Sequence, residues 1–183
     1  TTEVIWTDLK KTDINGNVYT FTVKEVTEQG ADFTPTNYTK TESGLTVTNT
    51  YKSPTDGTAT ATKEWSGGPA SHPTVWFKLY RNIQGGTAEA VPGAEIKELA
   101  DGTTSVTWTG LATTDQNGNA YTFSVKEVDA DGNPCTPANY TKTGEGSLAI
   151  TNTYKIPTDG TAKATKTWTN GPTPRPTVWF KLY

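Results

Sequence analysis

The sequence predicts an all-β protein made of tandem β-sandwiches. Three observations carry that prediction: a strand-favouring composition, apolar residues that alternate with polar ones, and a long internal repeat. Of 183 residues, 39 are threonine, with 6 Trp, 8 Tyr and 5 Phe, and 17 Gly and 11 Pro to punctuate them. Threonine and aromatic side chains suit pleated, half-buried surfaces, while Gly and Pro mark turns. A hydrophobic content of 32% is low, but regular alternation argues against disorder. No segment sustains a helical period.

The repeat comes next, because it sets the domain frame. TFTVKEV at 20–26 returns as TFSVKEV at 122–128, and TNTY at 48–51 returns at 151–154. ATK at 61–63 returns at 164–166, and PTVWFKLY at 73–80 returns unchanged at 176–183. The offset is 102 or 103 residues throughout, the length of one small domain. Residues 53–154 form a complete unit, 1–52 match only the second half of a unit, and 155–183 match only its first half. Positions 81–102 have no counterpart in the split copy. Thr1 opens the chain without a start methionine or a signal peptide, so the chain is expected to be a piece of a longer protein.

Within the complete unit the pattern predicts strands at 59–65, 74–80, 94–99, 104–108, 120–128, 138–143 and 147–154. Pro-Gly at 92–93, Asp-Gly at 101–102 and Asn-Gly at 117–118 supply turns. Seven short strands in about 100 residues fit an immunoglobulin-like sandwich. SPTDG at 53–57 and IPTDG at 156–160 read as short, stiff linkers between units.

Residues two apart in a strand share a face. Tyr121, Phe123 and Val125 share one, and Glu127 continues it. Asn152 lies between Ile150 and Tyr154, and Lys63 lies between Ala61 and Trp65. The split copy repeats the arrangement: Glu25 follows Tyr19, Phe21 and Val23; Asn49 lies between Val47 and Tyr51; Lys166 lies between Ala164 and Trp168. A lysine, a carboxylate and an asparagine are thus predicted to face the core in each copy. An unpaired charge there costs several kcal/mol, so the groups must pair or become neutral. Burial favours the neutral amine and the protonated carboxyl. A neutral amine could attack the asparagine carboxamide and expel ammonia with general acid–base help. A buried Lys–Glu salt bridge beside a satisfied asparagine fits the same placement, and parity does not choose between them.

The pattern TK-x-W, PTVWFKLY, YTFSVKEV, Tyr140 and TNTY resembles the B-type repeat of the staphylococcal collagen adhesin, the Cna-B family. That family occurs in stalks of Gram-positive surface adhesins and in pilins. The resemblance implies a reverse immunoglobulin-like sandwich with a self-formed Lys–Asn isopeptide bond between its first and last strands. It implies Lys63 as the amine, Asn152 as the acceptor and Glu127 as the assisting acid, with Lys166, Asn49 and Glu25 matching them in the split copy. The implied role is a structural spacer on the bacterial cell surface, attached to the wall through the parent protein. Self-linkage would be a single event, not turnover, so no enzyme activity is expected. The split frame favours a head-to-tail contact, in which 155–183 of one molecule completes 1–52 of the next. Completion within one chain is the alternative.

The net charge of −3 argues against nucleic-acid binding. No apolar run approaches a membrane span, and no cofactor or metal is expected from one His and one Cys. The expected partners are copies of the chain or neighbouring repeats, with any host ligand engaged through other domains of the parent. A carbohydrate-binding sandwich using exposed Trp and Tyr is the rival function. DQNGN at 115–119 and DINGN at 13–17 read as Asn-Gly turns, not calcium loops.

Overall fold

The computed structural model describes residues 3–183, so Thr1 and Thr2 of the expected 1–52 unit lie outside the described residues. Every regular element among them is a strand. The half-unit at the N-terminal end contributes a hairpin, β1 (Tyr38–Ser43) and β2 (Thr46–Tyr51). The complete unit runs through β3 (Gly57–Ser66), β4 (Val75–Asn82), β5 (Glu89–Ala90), β6 (Lys97–Leu99), β7 (Ser105–Leu111), β8 (Thr122–Val128), β9 (Tyr140–Thr143) and β10 (Ala149–Tyr154).

These eight strands make two sheets. One has the order β7-β3-β10-β9. In the other, β4 pairs with β8 along one edge and with β5 and β6 along the opposite edge. β3 and β10 run parallel, whereas the other pairings in these sheets are antiparallel. A parallel pair needs a long crossover; here the rest of the sandwich supplies it. The first and last strands of the unit are therefore adjacent at the centre of one sheet.

Alternation explains the core. β3 buries Ala59, Ala61 and Lys63 while its intervening threonines stay exposed. β4 buries Val75, Phe77 and Leu79. Leu99, Trp108, Val125 and Ile150 close the layer between the sheets. Trp108 satisfies its indole N–H by donating to the Glu95 carbonyl at 2.8 Å. Asn139 holds φ at 64°, and its counterpart Asn37 at 63°, a left-handed turn conformation that asparagine tolerates.

The split copy is different. Residues 155–183 form no strand, and Trp179, Phe180, Leu182 and Tyr183 are exposed. The 20–26 segment, whose twin is β8, also forms no strand. β8 gains its ladder from β4, and the residues matching β4 lie at the far end of the chain.

Candidate functional site

The core contains three polar side chains in contact. Lys63 comes from β3, Asn152 from β10 and Glu127 from β8 on the facing sheet. In the parallel ladder Lys63 stands opposite Ile150, and Asn152 opposite Trp65. The lysine and asparagine are thus diagonal neighbours on the inward face. Both side chains of the Lys63–Glu127 pair are 0% exposed, and Asn152 is equally buried.

One carboxylate holds both partners. Asn152 Nδ2 donates to Glu127 Oε1 at 3.0 Å and to Oε2 at 3.1 Å. Lys63 Nζ lies 3.4 Å from Glu127 Oε2 and donates to the Glu64 carbonyl at 3.1 Å. Asn152 Oδ1 is buried without a hydrogen-bond partner among the described residues. Burial holds the Lys63 amine below its ordinary value, against the opposing pull of Glu127. The neutral amine is therefore populated at lower pH than in an exposed lysine.

An aromatic wall closes the site. Lys63 Nζ sits 4.0 Å from the Trp65 ring centroid. The Trp65 ring meets Tyr140 edge-on at 4.9 Å and stacks on His72 at 4.8 Å. Asp101 anchors His72 by accepting its main-chain N–H at 3.0 Å. Gly68 lets the 66–71 loop lie against this wall: a Cβ there would stand 2.9 Å from both Tyr140 Oη and Tyr154 Cγ.

Lys142 escaped the sequence reading. Its Nζ donates to the Cys135 carbonyl at 2.6 Å and the Glu127 carbonyl at 3.4 Å, and pairs with Glu145 at 2.7 Å. It thereby braces the main chain that carries Glu127. Its charge also opposes protonation of Lys63. Lys40 repeats the arrangement on the Glu25 carbonyl at 3.3 Å, with Asp32 and Glu42 as its ion pairs. The available signal was the YTKT motif, present at 38–41 and 140–143.

In the split copy the structure brings two of the three residues together. Asn49 Nδ2 donates to Glu25 at 2.8 and 3.1 Å, matching Asn152 and Glu127. Glu25 is half-buried and Asn49 exposed, because no second sheet among the described residues covers them. Lys166 is exposed, its Nζ 4.4 Å from the Trp168 ring centroid. Among the described residues it makes no hydrogen bond or ion pair with Asn49 or Glu25. Cys135 is partly buried and free.

Fold and site together define an immunoglobulin-like β-sandwich repeat with a lysine, a carboxylate and a carboxamide gathered in its core. The chain belongs to the Cna protein B-type domain family, whose model matches residues 1–50 and 59–153. It is 37% identical over 150 residues to a collagen adhesin of Staphylococcus aureus, a match covering 82% of this chain and 12% of the adhesin. Among solved structures it matches the pilus adhesin SpaC from Lactobacillus rhamnosus GG, with a TM-score of 0.38 and 18% identity over 72% of this chain and 19% of SpaC.

Proposed function

We propose that this chain is a stalk segment of a Gram-positive surface adhesin or pilin, and that its complete repeat ties itself with a Lys63–Asn152 isopeptide bond. The observation that carries the reading is the shared burial of Lys63, Glu127 and Asn152 within hydrogen-bond reach of one carboxylate. Nothing in an ordinary spacer requires a lysine and a carboxylate in the core, where their desolvation is costly.

The step balances without a cofactor. A proton leaves the Lys63 ammonium for the Glu127 carboxylate. A half-turn of the Asn152 side chain exchanges Nδ2 and Oδ1, so protonated Glu127 donates to the carbonyl oxygen and polarises it. The neutral amine attacks Asn152 Cγ, forming the N–C bond. The Cγ–Nδ2 bond then breaks, and Glu127 relays the amine's proton so that Nδ2 leaves as ammonia. Lysine amine and asparagine carboxamide become one secondary amide plus ammonia.

The bond would join adjacent parallel strands, β3 and β10, at the two ends of the unit. Tension applied along the stalk would then pass through the cross-link without unfolding the strands between. By analogy with a disulfide, the tie would also restrict the unfolded chain by about 3–5 kcal/mol for a loop of this size. A place outside the cell, on the bacterial surface, suits this role.

The split copy is read as a head-to-tail contact, in which Lys166 of one molecule reaches Glu25 and Asn49 of the next. The Glu25–Asn49 pair and the Lys166–Trp168 contact support this: they repeat the side-chain pairings Glu127–Asn152 and Lys63–Trp65 of the complete unit. Such a heterologous contact propagates into a filament unless it closes a ring. Proteolysis followed by peptide mass mapping tests both bonds. The expected fragments join Lys63 to Asn152, and Lys166 to Asn49. Recovery of Lys63 and Asn152 in separate, unmodified peptides would refute the first.

A further inference from the structure

The exit from the first half-unit is docked on the complete unit. Tyr51 Oη lies 2.9 Å from Thr114 Oγ1. Ser53 Oγ accepts from the Thr114 amide at 3.2 Å and from its hydroxyl at 3.1 Å. The Thr113 amide donates to the Pro54 carbonyl at 3.0 Å. At Gly57, where the linker enters β3, a Cβ would stand 2.9 Å from Thr113 Cγ2, so the chain there runs close against the segment after β7. The last residues of one repeat are thereby seated on a loop of the repeat that follows.

Both halves of this joint recur in the chain without each other. Tyr154, Lys155 and Pro157 repeat Tyr51, Lys52 and Pro54. The Lys155 amide donates to the Asn139 carbonyl at 2.7 Å, as that of Lys52 does to Asn37 at 2.7 Å. Beside this exit lies an open cleft of about 300 Å³, lined by Asn139 and residues 155–159. The receiving loop recurs at 9–13: Leu9 and Thr12 match Leu111 and Thr114. Thr12 bridges Val18 as Thr114 bridges Ala120. Asp13 accepts the amides of Asn15 and Asn17 as Asp115 accepts those of Asn117 and Asn119. Among the described residues, neither the Tyr154 hydroxyl nor the Thr12 hydroxyl has a hydrogen-bond partner.

We propose that the exit at 154–157 docks on the 9–13 loop of a second copy of this chain, with Tyr154 Oη on Thr12 Oγ1. The inference rests on the head-to-tail reading and names the contact that fixes its register. Ile156 occupies the place of Ser53 and is 76% exposed. The second joint therefore exchanges the serine's hydrogen bonds for burial of an isoleucine. That exchange favours a contact made between molecules, where apolar area drives association. The tyrosine–threonine pair sets its alignment.

Sedimentation velocity across a concentration series tests the joint in the full chain. An Asn49→Ala background forbids the second cross-link and keeps association reversible. Tyr154→Phe and Thr12→Val are each expected to weaken association about 3–10-fold. The double variant should be no weaker than the weaker single one. Tyr51→Phe, which keeps the ring against Tyr38 and removes only the hydroxyl of the joint within the chain, should leave association unchanged. Association undiminished in both single variants would overturn the joint and leave head-to-tail assembly standing. A background chain that stays monomeric at every concentration would overturn both.

Discussion

A Glu127→Ala chain is expected to leave Lys63 and Asn152 unjoined and to melt far below the wild type. Two losses add. Without the carboxylate there is no group to take the Lys63 proton or to polarise Asn152, so the cross-link and its roughly 3–5 kcal/mol are lost. Lys63 and Asn152 also remain buried without their common partner, and breaking a buried pair costs about 3–5 kcal/mol more. Against a typical total of about 5–15 kcal/mol, the sum should lower the melting temperature by on the order of 30 °C. Asn152→Ala separates the two losses. It cannot form the bond, yet it keeps Lys63 beside Glu127, so it should melt between the wild type and Glu127→Ala. Calorimetry with intact mass on the three chains checks the order. A Glu127→Ala chain in which peptide mapping still finds Lys63 joined to Asn152 would refute the acid's role.

Phe77→Ala is expected to have the second-largest effect. Phe77 is fully buried and stands directly opposite Glu127 in the β4–β8 ladder. Truncating a buried phenylalanine costs about 3–5 kcal/mol. The cavity would also loosen the strand that holds Glu127 against Lys63 and Asn152. A mixture of cross-linked and open chains is therefore expected. Leu111→Ala is the control, since Leu111 is buried where β7 pairs with Gly57, at the start of β3. It should lower stability and leave every chain cross-linked. Equal bonded fractions in the two variants would show that bond formation does not depend on packing at Phe77.

The sandwich was legible because its strands alternate and its turns carry Gly, Pro and Asn. Period two was enough to bring Lys63, Glu127 and Asn152 out of the background, since each interrupts an otherwise apolar face. The same rule failed at Lys142. β9 is short and mostly polar, so a lysine there looks like any solvent-facing residue, and only the fold brings its amine to the Glu127 carbonyl. β5, two residues long, has no period to read. The predicted 94–99 strand survives only as Lys97–Leu99, because just those residues lie along β4. The split copy shows the limit of local pattern most clearly. Its 20–26 segment has nearly the sequence of β8 but no β4 to pair with, and strand formation is decided by the neighbour.

The central claim is that the buried lysine and asparagine become one amide. Intact mass under denaturing conditions, beside a boiled and reduced gel, tests it most directly. The account predicts a chain lighter than its sequence by one ammonia for the Lys63–Asn152 bond, with a covalent ladder on the gel where Lys166 has linked to Asn49 of a neighbour. Two ammonia losses in a monomer would place the second bond within one chain. A monomer at the full sequence mass would contradict the account and leave a β-sandwich whose buried lysine and glutamate are only an ion pair.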